Sequence, residues 1–226
     1  MDIFSEGRVL LIDKPYDWTS FDVIRKMRSL IKIKKIGHAG TLDPLASGLL
    51  IVCTGKFTKK INEYMAQEKE YSGVITLGAT TPTYDLESIP ENFKDISHIT
   101  DHDVAEAAKV FTGEIQQVPP IYSAVKKDGK RAYELARRGQ DVELEPRTIT
   151  VSQFHTVLKN NEVYFKIVCS TGTYIRSLAN DLGKQLGCGG YLSALYHTRI
   201  GEFHLKDAMT LEKFEEWVKE LKDQNG

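Results

Sequence analysis

Residues 37–55 read GHAGTLDPLASGLLIVCTG, and two kinds of chain meet in that stretch. The first half is loop material: Gly37, Gly40 and Gly48 permit tight bends and the close approach of another backbone. The second half carries LLIVC at 49–53, a short unbroken apolar run that reads as a buried strand. One carboxylate, Asp43, sits in the loop. Pro44 follows it, pushes it away from helical geometry toward extended backbone, and so holds it in a projecting loop. A loop aspartate on its own most often makes local turn hydrogen bonds; the alternative is that so much loop is built to present one acid.

Outward from this stretch, VLLIDKP at 9–15 reads as a short strand running into a loop. Thr19 with Asp22 three residues later is a capping-box start for a helix whose apolar positions are Phe21, Ile24, Met27 and Ile31, with a basic opposite face. KEYSGVITLG at 69–78 is a strand rich in β-branched residues, and TTPTYDLESIPENFKDISH is a polar connection. Thr100 and Asp103 cap a helix with Val104, Ala107, Ala108 and Phe111 on one side. IYSAV, TITVSQFHTV and EVYFKIVCS read as strands, and KRAYELARR as a helix ended by Gly139. TYIRSLANDLGKQLG at 173–187 has Ile175, Leu178, Leu182 and Leu186 as its apolar stripe, and a last amphipathic helix carries Leu211, Phe214, Trp217 and Leu221. Leu195 falls near a helix end in this reading. Strands adjoin one another without a strict βαβ rhythm, so the expected class is α+β, with a mixed, mostly antiparallel central sheet flanked by helices and loops. A single domain over 1–226 is expected.

The chain has 226 residues, 41% hydrophobic and 27% charged, enough for a sizeable core in a soluble globular protein. Its apolar runs fall far below the roughly 20 residues of a membrane span, and the acidic opening MDIFSEGRVLLIDKP lacks the apolar core of a secretory signal. A cytoplasmic protein with no membrane partner is expected. Cys53, Cys169 and Cys188 are odd in number, widely separated and free of C-x-x-C spacing, which suits reduced packing residues. The net charge of -1 hides a segregated distribution. Residues 14–60 hold ten bases against three acids, 85–114 eight acids against two bases, and KKDGKRAYELARR at 126–138 six bases against two acids. Basic stretches are most often solvated faces, but two of them flanking glycine-rich loops also suit a polyanionic partner.

A phosphate loop of the Walker type is disfavoured around Asp43 because no G-K-[ST] follows. A metal site is weak: His38 and Asp43 have no ligand-rich neighbour, and His98 with His102 lies in an acidic, surface-like segment. An unperturbed aspartate titrates near pH ~3.9 and is ionised at neutral pH, so a chemical role for Asp43 is that of nucleophile or general base.

GHAGTLDPLASGLL resembles the catalytic motif of the tRNA pseudouridine-55 synthase (TruB) family. The similarity extends through GRVLLIDKPYDWTSFDVIRKMR, KEYSGVITLGATT, VPPIYSAVKKDGKRAYELAR and STGTYIRSLANDLG, in order and over nearly the whole chain. The resemblance implies the pseudouridine synthase fold and an isomerase that turns uridine 55 in the T-loop of tRNA into pseudouridine, with no metal or organic cofactor. Position by position, it implies Asp43 as the catalytic aspartate, Tyr71 stacked against the target base and assisting removal of the C5 proton, and Arg176 paired with Asp43. Tyr174 would line the pocket, Leu195 would form an apolar wall beneath the base, and His38 would contact the folded RNA loop and keep the uridine extruded. Lys14 matches the lysine of a lysine-proline motif and would support the site or the RNA. The expected partner is the T-arm of tRNA, met by a monomer without a guide RNA. The rival reading is a tRNA-binding or folding module whose catalysis is secondary or lost. Three features depart from the usual pattern: Asp17 stands where glycine is common, Tyr196-His197 where arginines are common, and no C-terminal PUA domain is expected.

Overall fold

The computed structural model describes residues 3–127, 129–140 and 142–224. In chain order the strands of the main sheet and the helices of ten residues or more are strand β1 (Val9–Lys14), helix α1 (Ser20–Ile31), strands β2 (Ile36–His38), β3 (Ala46–Thr54) and β4 (Lys69–Leu77), helix α2 (Asp101–Val110), and strands β5 (Gly113–Gln117), β6 (Arg147–Lys159) and β7 (Glu162–Cys169). Helix α3 (Ile175–Gln185), strands β8 (Gly190–Ile200) and β9 (Phe203–His204) and helix α4 (Leu211–Asp223) follow. The chain divides into two units, Met1–Tyr71 with Leu195–Gly226, and Ser72–Ala194; β4 and β8 contribute residues to both.

In the first unit β3 is the central strand. β1 pairs with it antiparallel from Val9↔Cys53 to Lys14↔Gly48. On its other edge β8 runs parallel beside its start, Leu195↔Ala46 to His197↔Gly48, and β2 runs antiparallel beside its end, Ile36↔Thr54 to His38↔Val52. Both faces of β3 are covered as well. Leu50 and Val52 point into a cluster built by Val23, Ile24, Met27 and Ile31 of α1 with Leu211, Phe214 and Val218 of α4. Leu49, Ile51 and Cys53 point into a second cluster with Ala39 and Ile200. Burial on both faces is why LLIVC is apolar at every position rather than at alternate ones.

The capping box of α1 forms as the sequence suggests: the Asp22 N–H donates to Thr19 Oγ1 at 3.0 Å and the Thr19 N–H to Asp22 Oδ2 at 3.0 Å. One apolar position differs. Phe21 is 60% exposed, and Val23 is buried in its place. At 3.6 residues per turn Phe21 lies about 100° round the helix from the stripe set by Ile24, Met27 and Ile31.

In the second unit the strand order is β8-β4-β7-β6-β5, with β5/β6 and β6/β7 antiparallel and a bulge between Val151 and Gln153. α2 begins in the Thr100/Asp103 capping box, and its Val104, Ala107 and Ala108 are buried while Phe111 lies beyond its last turn. Two glycines permit contacts that no other residue would. A Cβ on Gly73 of β4 would meet Ala194 O at 2.2 Å, and one on Gly183 of α3 would meet Gly190 N at 2.1 Å.

Three readings of the chain are corrected. IYSAV at 121–125 is a bend, not a strand, because its carbonyls and that of Val118 are taken by other groups: Ser177 Oγ donates to Val118 O, Arg176 Nη2 to Tyr122 O, and the Tyr133 and Ala132 N–H groups to Ser123 O and Val125 O. KRAYELARR supplies a short hairpin strand at Lys130–Arg131 and then only one turn of helix, Ala132–Ala136. Leu195 lies in the middle of β8 and not near a helix end. The three cysteines are free and buried, as expected of packing residues.

Phe214 is fully buried, with its ring edge-on to Phe4 at 6.1 Å and to Trp217 at 6.0 Å. Phe214→Ala is expected to lower the unfolding free energy by about 3–5 kcal/mol, measured by urea denaturation.

Candidate active site

The loop that carries Asp43 is pinned from three sides, all within the first unit. Lys14, at the end of β1, is completely buried. Its ammonium donates to the carbonyls of Pro15 at 3.0 Å, Trp18 and Pro44 at 3.2 Å. The Pro44 carbonyl also accepts the Asp17 N–H at 3.0 Å. Asp17 reaches that carbonyl with φ 61, a left-handed conformation that glycine adopts freely and that aspartate adopts more readily than most other residues. Ser20, buried at the start of α1, accepts the Leu42 N–H at 3.0 Å. Beyond Asp43, the Ala46 N–H closes a turn onto the Asp43 carbonyl at 3.0 Å, and Gly48, at φ +104, lies so close to β8 that a Cβ would meet His197 O at 2.4 Å.

Burial holds the Lys14 ammonium down to about 8; the carboxylates of Asp43, Asp17, Asp13 and Asp22, in that order, pull the other way. Asp43 thus sits in the field of a buried cation two strand-ends away in sequence. His38, on β2, is half-buried with Nδ1 2.9 Å from the Gly40 carbonyl. Its pKa is lowered by burial, which that carbonyl only partly offsets, so the ring is neutral at pH 7.

Tyr71, on β4, is 9% exposed and stacks on His197 with ring centroids 4.5 Å apart and planes at 14°. Leu195, two residues before His197 on β8 and hence on the same face, is equally buried. The sequence reading passed over His197 as a departure from a family pattern; nothing in the local sequence marks it, and only the strand register brings it to Tyr71. Its pKa is pushed down to about 3, first by burial and then by the Lys69 ammonium. Leu49 and Arg199 backbone groups lie close to the ring, yet neither ring nitrogen completes a hydrogen bond.

In the second unit Arg176, in the first turn of α3, is 4% exposed. It donates to the carbonyls of Thr83 at 3.3 Å and Tyr122 at 3.1 Å, and its Nε lies 3.7 Å from Asp85 Oδ2. Asp85, itself 4% exposed, went unnoticed in a segment read only as a polar connection; one acid among the several of that segment, Glu87, Glu91 and Asp95 included, carried no distinguishing signal. Tyr174 caps α3 and is clamped by the buried amide of Gln117, which accepts the Tyr174 N–H at 2.8 Å and donates to its carbonyl at 3.0 Å. Its side chain packs against Val125, Ala132 and Leu144.

The basic stretches differ in kind. On α1, Arg25 pairs with Asp22 and Lys26 with Glu215 at 2.6 and 2.7 Å. By contrast Lys32, Lys34, Lys35, Lys56 and Lys59 are exposed around a concavity of about 580 Å³ and make no ion pair with a described acid. Lys126, Lys130, Arg131, Arg137 and Arg138 are also exposed; Asp128 of that stretch lies outside the described residues. Among the described residues no cluster of three or more metal-ligating side chains occurs, and no helix is long and apolar enough to cross a membrane.

These elements match a known family along their length. Residues 28–175 match the model for the TruB family pseudouridylate synthase N-terminal domain, and residues 176–225 that for the tRNA pseudouridylate synthase B C-terminal domain. The chain belongs to the TruB family of pseudouridylate synthases. Its relatives include proteins named tRNA pseudouridine synthase B from Flavobacterium johnsoniae, 50% identical over 94% of this chain and 96% of that one, and from Phocaeicola vulgatus, 48% identical over 95% and 94%. Among solved structures, a chain of a Cbf5-Nop10-Gar1 complex superposes with TM-score 0.78 at 28% identity, and one of an H/ACA RNP bound to a substrate RNA containing 2'-deoxyuridine with TM-score 0.74 at 26%. This chain is covered to 99% in both, and spans 57% and 56% of theirs. The α+β class with its mostly antiparallel sheet is therefore the pseudouridine synthase fold.

Two predictions follow from the buried cations and imidazoles. Lys14→Met removes the donor shared by three carbonyls and is expected to raise amide exchange at residues 16–18, 43, 45 and 46 by about 10-fold, the equivalent of one hydrogen bond's net contribution, measured by hydrogen–deuterium exchange. His197 is neutral in the fold down to about pH 3, whereas an unfolded histidine takes its proton near 6.5. The unfolded state therefore binds more protons across that window, so stability falls as pH drops from 6.5 toward 3. His197→Phe is expected to flatten that limb in urea titrations at successive pH values.

Proposed function

We propose that this protein is a tRNA pseudouridine synthase that isomerises uridine 55 of the T-loop, with the Asp43 carboxylate as catalytic nucleophile. The observation that carries the reading is an intact GHAGTLDP loop, held by Lys14, Ser20 and Gly48, on a member of the TruB family. The names of the relatives at 48–50% identity support tRNA as the substrate. The isomerisation breaks the N1–C1′ bond and makes a C5–C1′ bond; C5 loses a proton and N1 gains one, with no net oxidation, so no redox cofactor is needed. A base detached midway must be held away from water. Tyr71 stacks on it and assists loss of the C5 proton, Leu195 supplies an apolar wall, and neutral His38 contacts the RNA loop from which the uridine is extruded, at a cost of a few kcal/mol. Arg176 and Tyr174 take the charge-pairing and pocket-lining roles that the family pattern implies. The unpaired lysines around Lys32–Lys35 and Lys56–Lys59 meet phosphates and make binding salt-dependent.

The test is tritium release from tRNA labelled at uridine C5, with pseudouridine mapped by position. The intact protein is expected to release tritium from whole tRNA and from a lone T-arm hairpin with no guide RNA or partner added. Asp43→Asn is expected to lower the rate by roughly 10³-fold or more while tRNA binding stays within about threefold. Binding without release by the intact protein would replace this reading with that of a tRNA-folding module.

A further inference from the structure

His197 has no part in the chemistry above, yet its surroundings are unlike those of an ordinary core residue. It is 3% exposed, and neither Nδ1 nor Nε2 has a hydrogen-bond partner among the described residues. Burying a polar ring unsatisfied is costly, and an apolar side chain would fill the same space without that cost. What the imidazole offers is a flat face. It lies nearly parallel to the Tyr71 ring, 14° and 4.5 Å away, within the range of favourable ring stacking. Its backbone meanwhile pairs with Gly48, where β8 and the Asp43 loop come within a distance that leaves no room for a Cβ. One residue thus touches both the strand that closes the Asp43 loop and the ring of Tyr71. The ammonium of Lys69 is held by the carbonyls of Met65 at 2.7 Å and Gln67 at 2.8 Å; burial, with a smaller part from that charge, keeps the imidazole neutral.

An aromatic ring has two faces. With His197 on one face of Tyr71, a stacked base has only the other. We propose that His197 is a positioning residue: its imidazole sets the plane of the Tyr71 ring and, through its backbone contact with Gly48, registers that plane against the Asp43 loop. The proposal rests on the pseudouridine synthase reading for what Tyr71 does, and on this structure alone for how Tyr71 is held.

The experiment compares His197→Phe, which keeps a flat ring, with His197→Leu, which fills space without one; circular dichroism and thermal melting establish that both are folded. His197→Leu is expected to lower kcat for tritium release by about 10- to 100-fold, with KM for tRNA within about threefold, because misplacing a reacting group by an ångström costs that much. His197→Phe is expected to restore kcat to within about threefold of the intact protein, a rescue that depends on stacking. Equal kcat in the two variants, at either level, overturns the proposal. A second arm records the NMR signals of the Tyr71 ring without RNA: they should shift and broaden in His197→Leu and stay sharp in His197→Phe, and an unchanged ring in His197→Leu overturns the proposal. If the intact protein releases no tritium, the functional reading fails, and the NMR arm still decides whether His197 holds Tyr71.

Discussion

A buried ammonium ties the Asp43 loop to the rest of its unit. Lys14 gives up its hydration shell entirely and gains the carbonyls of Pro15, Trp18 and Pro44. Hydrogen bonds to a charged donor are roughly twice as strong as neutral ones, but they do not fully offset desolvation, and the remaining cost appears as an acidity near 8. That residual cost makes the nearby carboxylates matter. Asp43 is the first of those that favour the charged lysine, so the loop and the buried cation stabilise each other. A segment without helix or strand of its own is in this way held at its middle by a charge and at its end by the close approach of Gly48 to β8.

The candidate side chains fall into two environments, one in each unit. Around Tyr71 the first unit presents a neutral, poorly hydrated face: an imidazole that stays uncharged, Leu195, and a strand buried on both sides. Around Arg176 the second unit presents a buried guanidinium that meets Asp85 and two backbone carbonyls.

Much of the fold was legible as local signals. Both capping boxes, Thr19/Asp22 and Thr100/Asp103, form as expected because each satisfies helix-end N–H groups within four residues of chain. LLIVC and the paired strands TITVSQFHTV and EVYFKIVCS carry their burial pattern in their own composition. The failures share one cause. IYSAV has the composition of a strand, but its carbonyls are claimed elsewhere: Tyr122 O by Arg176 of α3, more than fifty residues away, and Ser123 O and Val125 O by the N–H groups of Tyr133 and Ala132. Conversely GYLSALYHTRI lacks a clean alternation, yet becomes β8 because its neighbours pair with it.

Read alone, the sequence determined the family, the Asp43 loop with its flanking strand, and which residue types were at hand for chemistry, since these depend on order and spacing along the chain. Only the tertiary structure decided that Lys14 is a buried clamp on three carbonyls, that Asp85 meets Arg176, and that His197 lies under Tyr71. Each of those facts joins residues 30 to 126 positions apart through burial or strand register. Such pairings carry no local pattern, because their free energy exists only once the intervening chain has folded.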